Sequence, residues 1–189
     1  GIDGTIHHHP GGDRPIYIPI EWRIHTQIHA DRPEVGCVAH LHAPASTLLG
    51  IADKPIVPVT ARGAIARNIP VWDNPRLVMD ESSARSLSST LGGCIACQMR
   101  AHGSVVVGET AETGLVACTY IEENCRAQLD AAPLGGARPL RHRGRAVRRR
   151  FPGWARRDRV RPPPLGRASA CSEQVVALRE RRRDRKSVV

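Results

Sequence analysis

Apolar residues recur at Ile20, Ile24 and Ile28, one helical face repeated every fourth residue, and Asp31-Arg32-Pro33 stops the run. The pattern predicts a helix of about three turns after Pro19. Glu21, His25 and His29 repeat on another face of it. Residues 35–42 are largely apolar until their end and predict a strand. Pro44 opens a second helix through Thr47, Leu48 and Leu49. Residues 55–59 predict a short strand or extended piece, and 60–79 a loop with short elements carrying Trp72 and Asn74-Pro75. Asp80 suits the N-cap of a helix through Leu87 and Leu91, which Gly92-Gly93 ends. Residues 94–99 and 104–108 predict two strands around His102-Gly103. Thr110 suits the cap of a last helix, whose apolar stripe is Leu115, Cys118, Ile121, Cys125 and Leu129. The order α-β-α-β-α-β-β-α predicts a layered α/β domain.

Charge divides the chain. Of its 189 residues, 1–132 carry 10 Lys and Arg against 14 Asp and Glu, whereas 133–189 carry 18 against 4. The overall +10 therefore comes from the C-terminal part alone. That part is rich in Arg, Pro and Gly, with little apolar periodicity, and cannot bury enough surface to offset its ordering entropy. The expected division is a folded body over 1–140 and a disordered or frame-shifted basic tail over 141–189; 17 Arg against one Lys in residues 133–189 suits a shifted frame of a GC-rich gene. An acidic body argues against a nucleic-acid partner. No apolar run approaches the roughly 20 residues of a membrane-spanning helix, so no membrane partner is expected. The six Cys do not form a disulfide framework, and Cys94 and Cys97 are expected as core thiols, which suits a reducing cytoplasm. His7-His8-His9 is expected in a loop.

Side chains two apart on a strand share a face, so His40 and His42 present two imidazoles together at a strand end. Neutral imidazole is the commonest zinc ligand, and a catalytic site needs three protein ligands with one open position. His102, at the turn before Gly103, is the third candidate ligand. Glu21 is the candidate acid–base group beside the metal. Taken alone, the His40/His42 pair also fits two ordinary histidines at a strand end.

Three separated blocks resemble the class II aldolase/adducin family. They are Glu21-Trp22-Arg23-Ile24-His25 with Arg32 to His42, then Met99 to Gly108, then the helix carrying Tyr120-Ile121-Glu122-Glu123. The resemblance runs from about residue 15 to about residue 140. It implies an α/β/α sandwich with a central, mainly antiparallel sheet. It implies His40, His42 and His102 as ligands of a divalent metal, usually Zn²⁺, and Glu21 as catalytic acid–base. It further implies a homotetramer with active sites between subunits. The function that follows is a metal-dependent carbon–carbon lyase of the aldolase type. It acts on a small-molecule substrate, a hydroxy-carbonyl compound, through a metal-stabilised enediolate. The family also contains an epimerase, decarboxylases and the non-catalytic adducins. The alternatives are therefore a decarboxylase of a hydroxylated aromatic acid and an adducin-like or inactive fragment.

Three departures accompany the resemblance. The family's C-terminal segment often completes a neighbour's site, and the basic tail here does not resemble it. Family members carry a longer N-terminal part with a Gly/Asn/Ser loop for the substrate's phosphate or carboxylate, and only about 20 residues precede Glu21 here, so part of that region is expected to be missing. Members acting on sugar phosphates also place small hydroxyl residues just before the acid–base Glu. Here the stretch is Ile18-Pro19-Ile20. Ile side chains donate no hydrogen bond and Pro19 lacks an N–H, so a phosphate against them would be desolvated at a cost of several kcal/mol. A non-phosphorylated substrate is expected.

Overall fold

The computed structural model describes residue 5 and residues 18–140. His7-His8-His9 and the expected tail from 141 onward lie outside the described residues. The elements are α1 (Trp22–Asp31), β1 (Cys37–Leu41), α2 (Pro44–Ile51), a 3-10 turn (Arg62–Ala66), β2 (Val71–Trp72), α3 (Glu81–Leu91), β3 (Ala96–Met99), β4 (Gly103–Gly108) and α4 (Ala111–Asp130).

The four strands form one sheet in the order β1-β4-β3-β2. β1 and β3 pair antiparallel with β4, and β2 runs parallel to β3. The sheet is thus mainly antiparallel, as the resemblance implied. Helices cover both faces, α1 packing with α3 and α2 with α4. On the first face Ile24, Ile28, Leu87 and Leu91 close over Cys97, Met99, Val105 and Val107. The intervening strand residues serve the other face, where Gln98 reaches the Ser46 carbonyl of α2 at 3.4 Å. This alternation along β3 and β4 is the period of two that a sheet buried on both sides requires.

The predicted caps are in place. Asp80 accepts from the Ser82 hydroxyl at 2.5 Å and from the Ser83 N–H at 2.8 Å, and these hydrogen bonds, the Ser82 one foremost, pull its carboxyl down to about 2. Thr110 and Thr113 exchange reciprocal side-chain-to-backbone bonds at the start of α4.

Of the two readings of 55–59, the extended piece is the one found, because two amide side chains of α4 take the place of a partner strand. Asn124 Nδ2 donates to the Val57 carbonyl at 2.8 Å, and its Oδ1 accepts from the Val59 N–H at 2.9 Å. Gln128 donates to the Pro55 carbonyl and accepts from the Val57 N–H. The second strand instead lies at Val71–Trp72, inside the predicted loop, where Pro70 O accepts from Gln98 N and Trp72 O from Arg100 N. The stripe of α4 is corrected in part. Ile121 and Cys125 are buried as expected, but Leu115 is exposed, and Gly114, Ala117 and Asn124 complete the buried face. The reason is close approach: a Cβ on Gly114 would stand 2.6 Å from Cys37 Sγ, so the small residues, not the leucines, face the sheet.

Asn124 is fully buried and carries the 57–60 segment. A Cβ on Gly63 would stand 1.8 Å from its Oδ1. Gly63→Ala must therefore displace the amide and break its bonds. The expected loss is about 2–3 kcal/mol of unfolding free energy, checked by urea denaturation against wild type.

Candidate metal centre

The site is built from three places in the chain. His40 lies on β1, opposite Val105 of β4, and His42 follows just past the strand end. His102 closes the three-residue turn between β3 and β4, where Ala101 adopts a left-handed conformation with φ of 53°. Its amide is tied back to the Met99 carbonyl at 3.2 Å. Gly103 allows the close approach. A Cβ there would stand 2.4 Å from the Leu41 carbonyl oxygen and 2.9 Å from the His42 ring. Glu21 is the residue before α1, and its carboxylate makes no capping bond to its own helix.

All four sequence-predicted residues come together, with one donor atom of each within 4.8 Å of the others. His40 and His102 ring centroids are 5.0 Å apart, and those of His40 and His42 4.9 Å. Glu21 Oε2 lies 3.2 Å from His40 Nε2 and 3.3 Å from His102 Nε2. The side chains of Glu21, His40 and His102 are only 10%, 11% and 6% exposed; His42 is open to solvent.

Hydrogen bonding fixes which atoms face inward. His40 Nδ1 lies 3.2 Å from the Ser104 carbonyl. A carbonyl only accepts, so Nδ1 carries the proton and Nε2 of the neutral ring presents a lone pair. That lone pair faces Glu21 Oε2 and, at 3.1 Å, His42 Nε2. Glu21 Oε1 accepts from the Val78 backbone N–H at 2.8 Å, which leaves Oε2 to the histidines. Burial lowers the His40 pKa, with His102 and His42 adding to the drop and Glu21 opposing it most strongly among the neighbours. Neither ring nitrogen of His102 has a hydrogen-bond partner, although both are buried. Converging electron-pair donors with buried, unbonded nitrogens are an unfavourable arrangement by themselves. A cation between them satisfies it, and three imidazoles with a nearby carboxylate are a donor set suited to zinc. The residues fit the metal that the resemblance implies.

Three supports of the site have no role assigned from the sequence: the Val78 N–H, the Ser104 carbonyl, and the Glu122 carboxylate, which accepts from the first amides of α2. Ser104 and Glu122 lie within the blocks that carry the resemblance, and the need for the last has a local sign as well. Ala43 before Pro44 offers no capping side chain, so the helix needed an acceptor from elsewhere. Cys94, Cys97 and the other three described cysteines form no disulfide. Burial pushes the Cys97 thiol up to about 12, which suits a core thiol and not a ligand.

Residues 2–129 match the family described as the class II aldolase and adducin N-terminal domain. The chain is 30% identical over 141 residues to the 4-hydroxy-3-prenylphenylpyruvate oxygenase/4-hydroxy-3-prenylbenzoate synthase of Streptomyces roseochromogenus subsp. oscitans, covering 74% of this chain and 50% of that protein. It is 33% identical over 105 residues to the 5-methylthioribulose-1-phosphate/5-deoxyribulose-1-phosphate aldolase of Rhodospirillum rubrum, covering 54% of this chain and 47% of that one. The chain thus spans about half the length of these two relatives. An aldolase II superfamily protein from Pseudomonas syringae superposes with a TM-score of 0.65 at 23% identity, over 82% of this chain and 67% of that one. At that identity the likeness bears on the fold alone.

The remaining histidines of α1 face β1 from outside the cluster. His29 Nδ1 lies 3.1 Å from the Val35 carbonyl. Burial lowers the His25 pKa below the ordinary 6.5; His29 adds to the drop, and a hydrogen bond to the Val38 backbone opposes it. Below about pH 6.5 the unfolded chain therefore binds more proton at this position than the folded chain, and stability falls as pH drops through that value. The melting temperature is expected to fall between about pH 7.5 and about pH 5.5. The fall should be smaller in His25→Gln, which cannot titrate. His40 acts in the same direction, so part of the fall persists.

Proposed function

Since the chain belongs to the class II aldolase and adducin family, we propose that it forms part of a divalent-metal-dependent carbon–carbon lyase of the aldolase type, acting on a small, non-phosphorylated hydroxy-carbonyl compound. The observation that carries this is the convergence of Glu21, His40, His42 and His102, with the His102 ring buried and unbonded. His40, His42 and His102 would hold the metal, for which Zn²⁺ is the choice their imidazoles favour. The exposed Leu48 and Ile51 of α2 and Leu115 and Val116 of α4 support further burial of that helical layer in a homo-oligomer, which we take to be a tetramer. Partly buried thiols outside any disulfide, Cys37 and Cys118 among them, support a reducing compartment such as the cytoplasm.

A divalent cation held by the three imidazoles supplies a Lewis acid for adjacent hydroxyl and carbonyl oxygens of the substrate. The chain's own residues do the rest. The Ser104 carbonyl holds the His40 ring in the tautomer whose Nε2 faces the cluster. The Val78 N–H immobilises Glu21 Oε1. Glu21 Oε2 is then the atom that takes a proton from, or returns it to, the reacting carbon. Ile18 and Ile20, next to Glu21 in the chain, are exposed and offer a phosphate nothing. The start of α1 offers little more, since the Trp22 and Ile24 amides already donate to the Pro19 and Glu21 carbonyls.

The second reading, decarboxylation of a hydroxylated aromatic acid, is favoured by similarity to the decarboxylase NovR of Streptomyces niveus, 28% identical over 160 residues, while the name of the Streptomyces roseochromogenus relative places that protein on hydroxylated, prenylated aromatic acids. The same electron sink and the same proton-carrying carboxylate serve it.

Elemental analysis is expected to find about one zinc per chain, the stoichiometry of a single three-histidine site, and almost none in folded His42→Ala. Unchanged zinc in that variant would remove the basis of the proposal. For substrate class, ketose 1-phosphates are to be compared with hydroxy acids and dihydroxybenzoic acids. Turnover of the non-phosphorylated compounds is expected to lead, falling by about 10²–10⁴ in Glu21→Gln. Efficient cleavage of a ketose 1-phosphate, with the hydroxy acids inert, would return the function to a sugar-phosphate aldolase; release of CO₂ from the benzoic acids alone would select the decarboxylase.

A further inference from the structure

α2 begins two residues after His42 without a cap of its own. Its N-cap residue is Ala43, and its first turn has no acidic side chain. Yet its first free amides are satisfied by one carboxylate from 77 residues away. The Ala45 N–H donates to Glu122 Oε1 at 2.7 Å and the Ser46 N–H to Glu122 Oε2 at 3.0 Å. A bidentate, charged acceptor at the positive end of a helix dipole is a strong anchor. Ala43 is drawn into the same turn, since its carbonyl accepts from the Thr47 N–H and the Ser46 hydroxyl.

The other end of this anchor is rigid. Glu122 projects from the middle of α4, and Gly114 of that helix sits so close to β1 that a Cβ would strike Cys37 Sγ. On the other side, a Cβ on Gly108 of β4 would stand 2.5 Å from the Gly114 amide. α4 is thereby seated on β1, which carries His40 and leads to His42, and on β4, which follows His102.

The three imidazoles differ in what holds them. His40 has a strand position and the Ser104 carbonyl. His102 has a buried site in a tight turn. His42 lies beyond the last residue of β1, is solvent-exposed, and its ring hydrogen bond is to His40 itself. Its position rests on the backbone between Leu41 and the first turn of α2. Glu122 clamps the far end of that stretch.

We propose that Glu122 is a positioning residue of the metal centre: by holding the first amides of α2 it sets the chain leaving β1, and hence the His42 imidazole, for metal ligation. The proposal rests on the metal reading above. Glu122 touches neither metal nor substrate, so its effect must appear in metal affinity and ligand geometry, and not only in stability.

The test is titration of the full chain with Co²⁺, followed by its visible absorption, for wild type, Glu122→Gln, Glu122→Ala and Thr110→Ala. Thr110→Ala removes a cap of α4 far from the corner and reports general destabilisation. Glu122→Ala is expected to weaken Co²⁺ binding by about 10–100-fold, as loss of groups that orient metal ligands does, and to alter the absorption bands. Glu122→Gln keeps the shape and one oxygen acceptor, and is expected to lie between. Thr110→Ala should lower the melting temperature with its Co²⁺ affinity intact. In a His42→Ala background, Glu122→Gln should cause no further loss of affinity, since the ligand it positions is gone. Wild-type affinity and spectrum in Glu122→Gln would overturn the proposal, as would equal weakening in Thr110→Ala. Glu122→Gln also decides the matter if Glu122→Ala does not fold. A wild-type chain that binds no Co²⁺ overturns the metal reading itself, a result distinct from equal binding by wild type and variant.

Discussion

The register of β1 on β4 is the constraint on which the site depends. Leu41 stands opposite Ser104 and His40 opposite Val105. Because side chains alternate, a slip of one residue would turn His40 away from Glu21 and toward the α2/α4 layer. The same register brings the turn before Gly103 level with the end of β1, and so His102 level with His42. Burial of Val105 and Val107 among Ile24, Ile28 and the α3 leucines enforces it. The hydrophobic core thus selects the strand pairing, and the pairing assembles polar groups that would repel one another if nothing lay between them. Glu21 and the histidines are therefore held together by apolar packing elsewhere, not by their own attraction.

Much of this was legible in the sequence, for identifiable reasons. Capped helices with clear apolar faces were readable, because Pro19, Pro44, Asp80 and Thr110 each act on their own backbone neighbourhood. The four chemistry-bearing side chains were readable too: an alternating pair on a strand end, a His-Gly turn and a Glu at a helix start belong to a recognisable spacing. The choice between strand and extended piece at 55–59 was not, because its backbone bonds go to Asn124 and Gln128, about 70 residues away. The face of α4 was misjudged in part because a period near 3.6 fits two neighbouring stripes, and only close contact with Cys37 and Gly108 decides for the smaller one. Local chemistry is written locally; a side chain that completes another segment's hydrogen bonds is not.

The supports of the cluster share a design. The Ser104 carbonyl, the Val78 amide and the Glu122 carboxylate each act across a boundary between elements. The Ser104 carbonyl is present whatever residue stands at 104, and the Val78 N–H is lost only to proline. Glu122 is the support supplied by a side chain, so almost any substitution there removes it. Such a site has its ligands exposed to mutation but much of its scaffold protected from it.

The division of Glu21 between two partners carries one more consequence. With Oε1 tied to the Val78 amide, the carboxylate cannot turn over and exchange its oxygens without breaking a buried bond. Its working oxygen therefore approaches from one fixed direction, beside the imidazoles and never from behind them. A planar carbon held against that cluster has two faces, and only one lies toward Oε2. On the proposed acid–base role of Glu21, the proton it carries would arrive on that face, and the Val78 N–H, which holds the carboxylate, would help to set the handedness of the product.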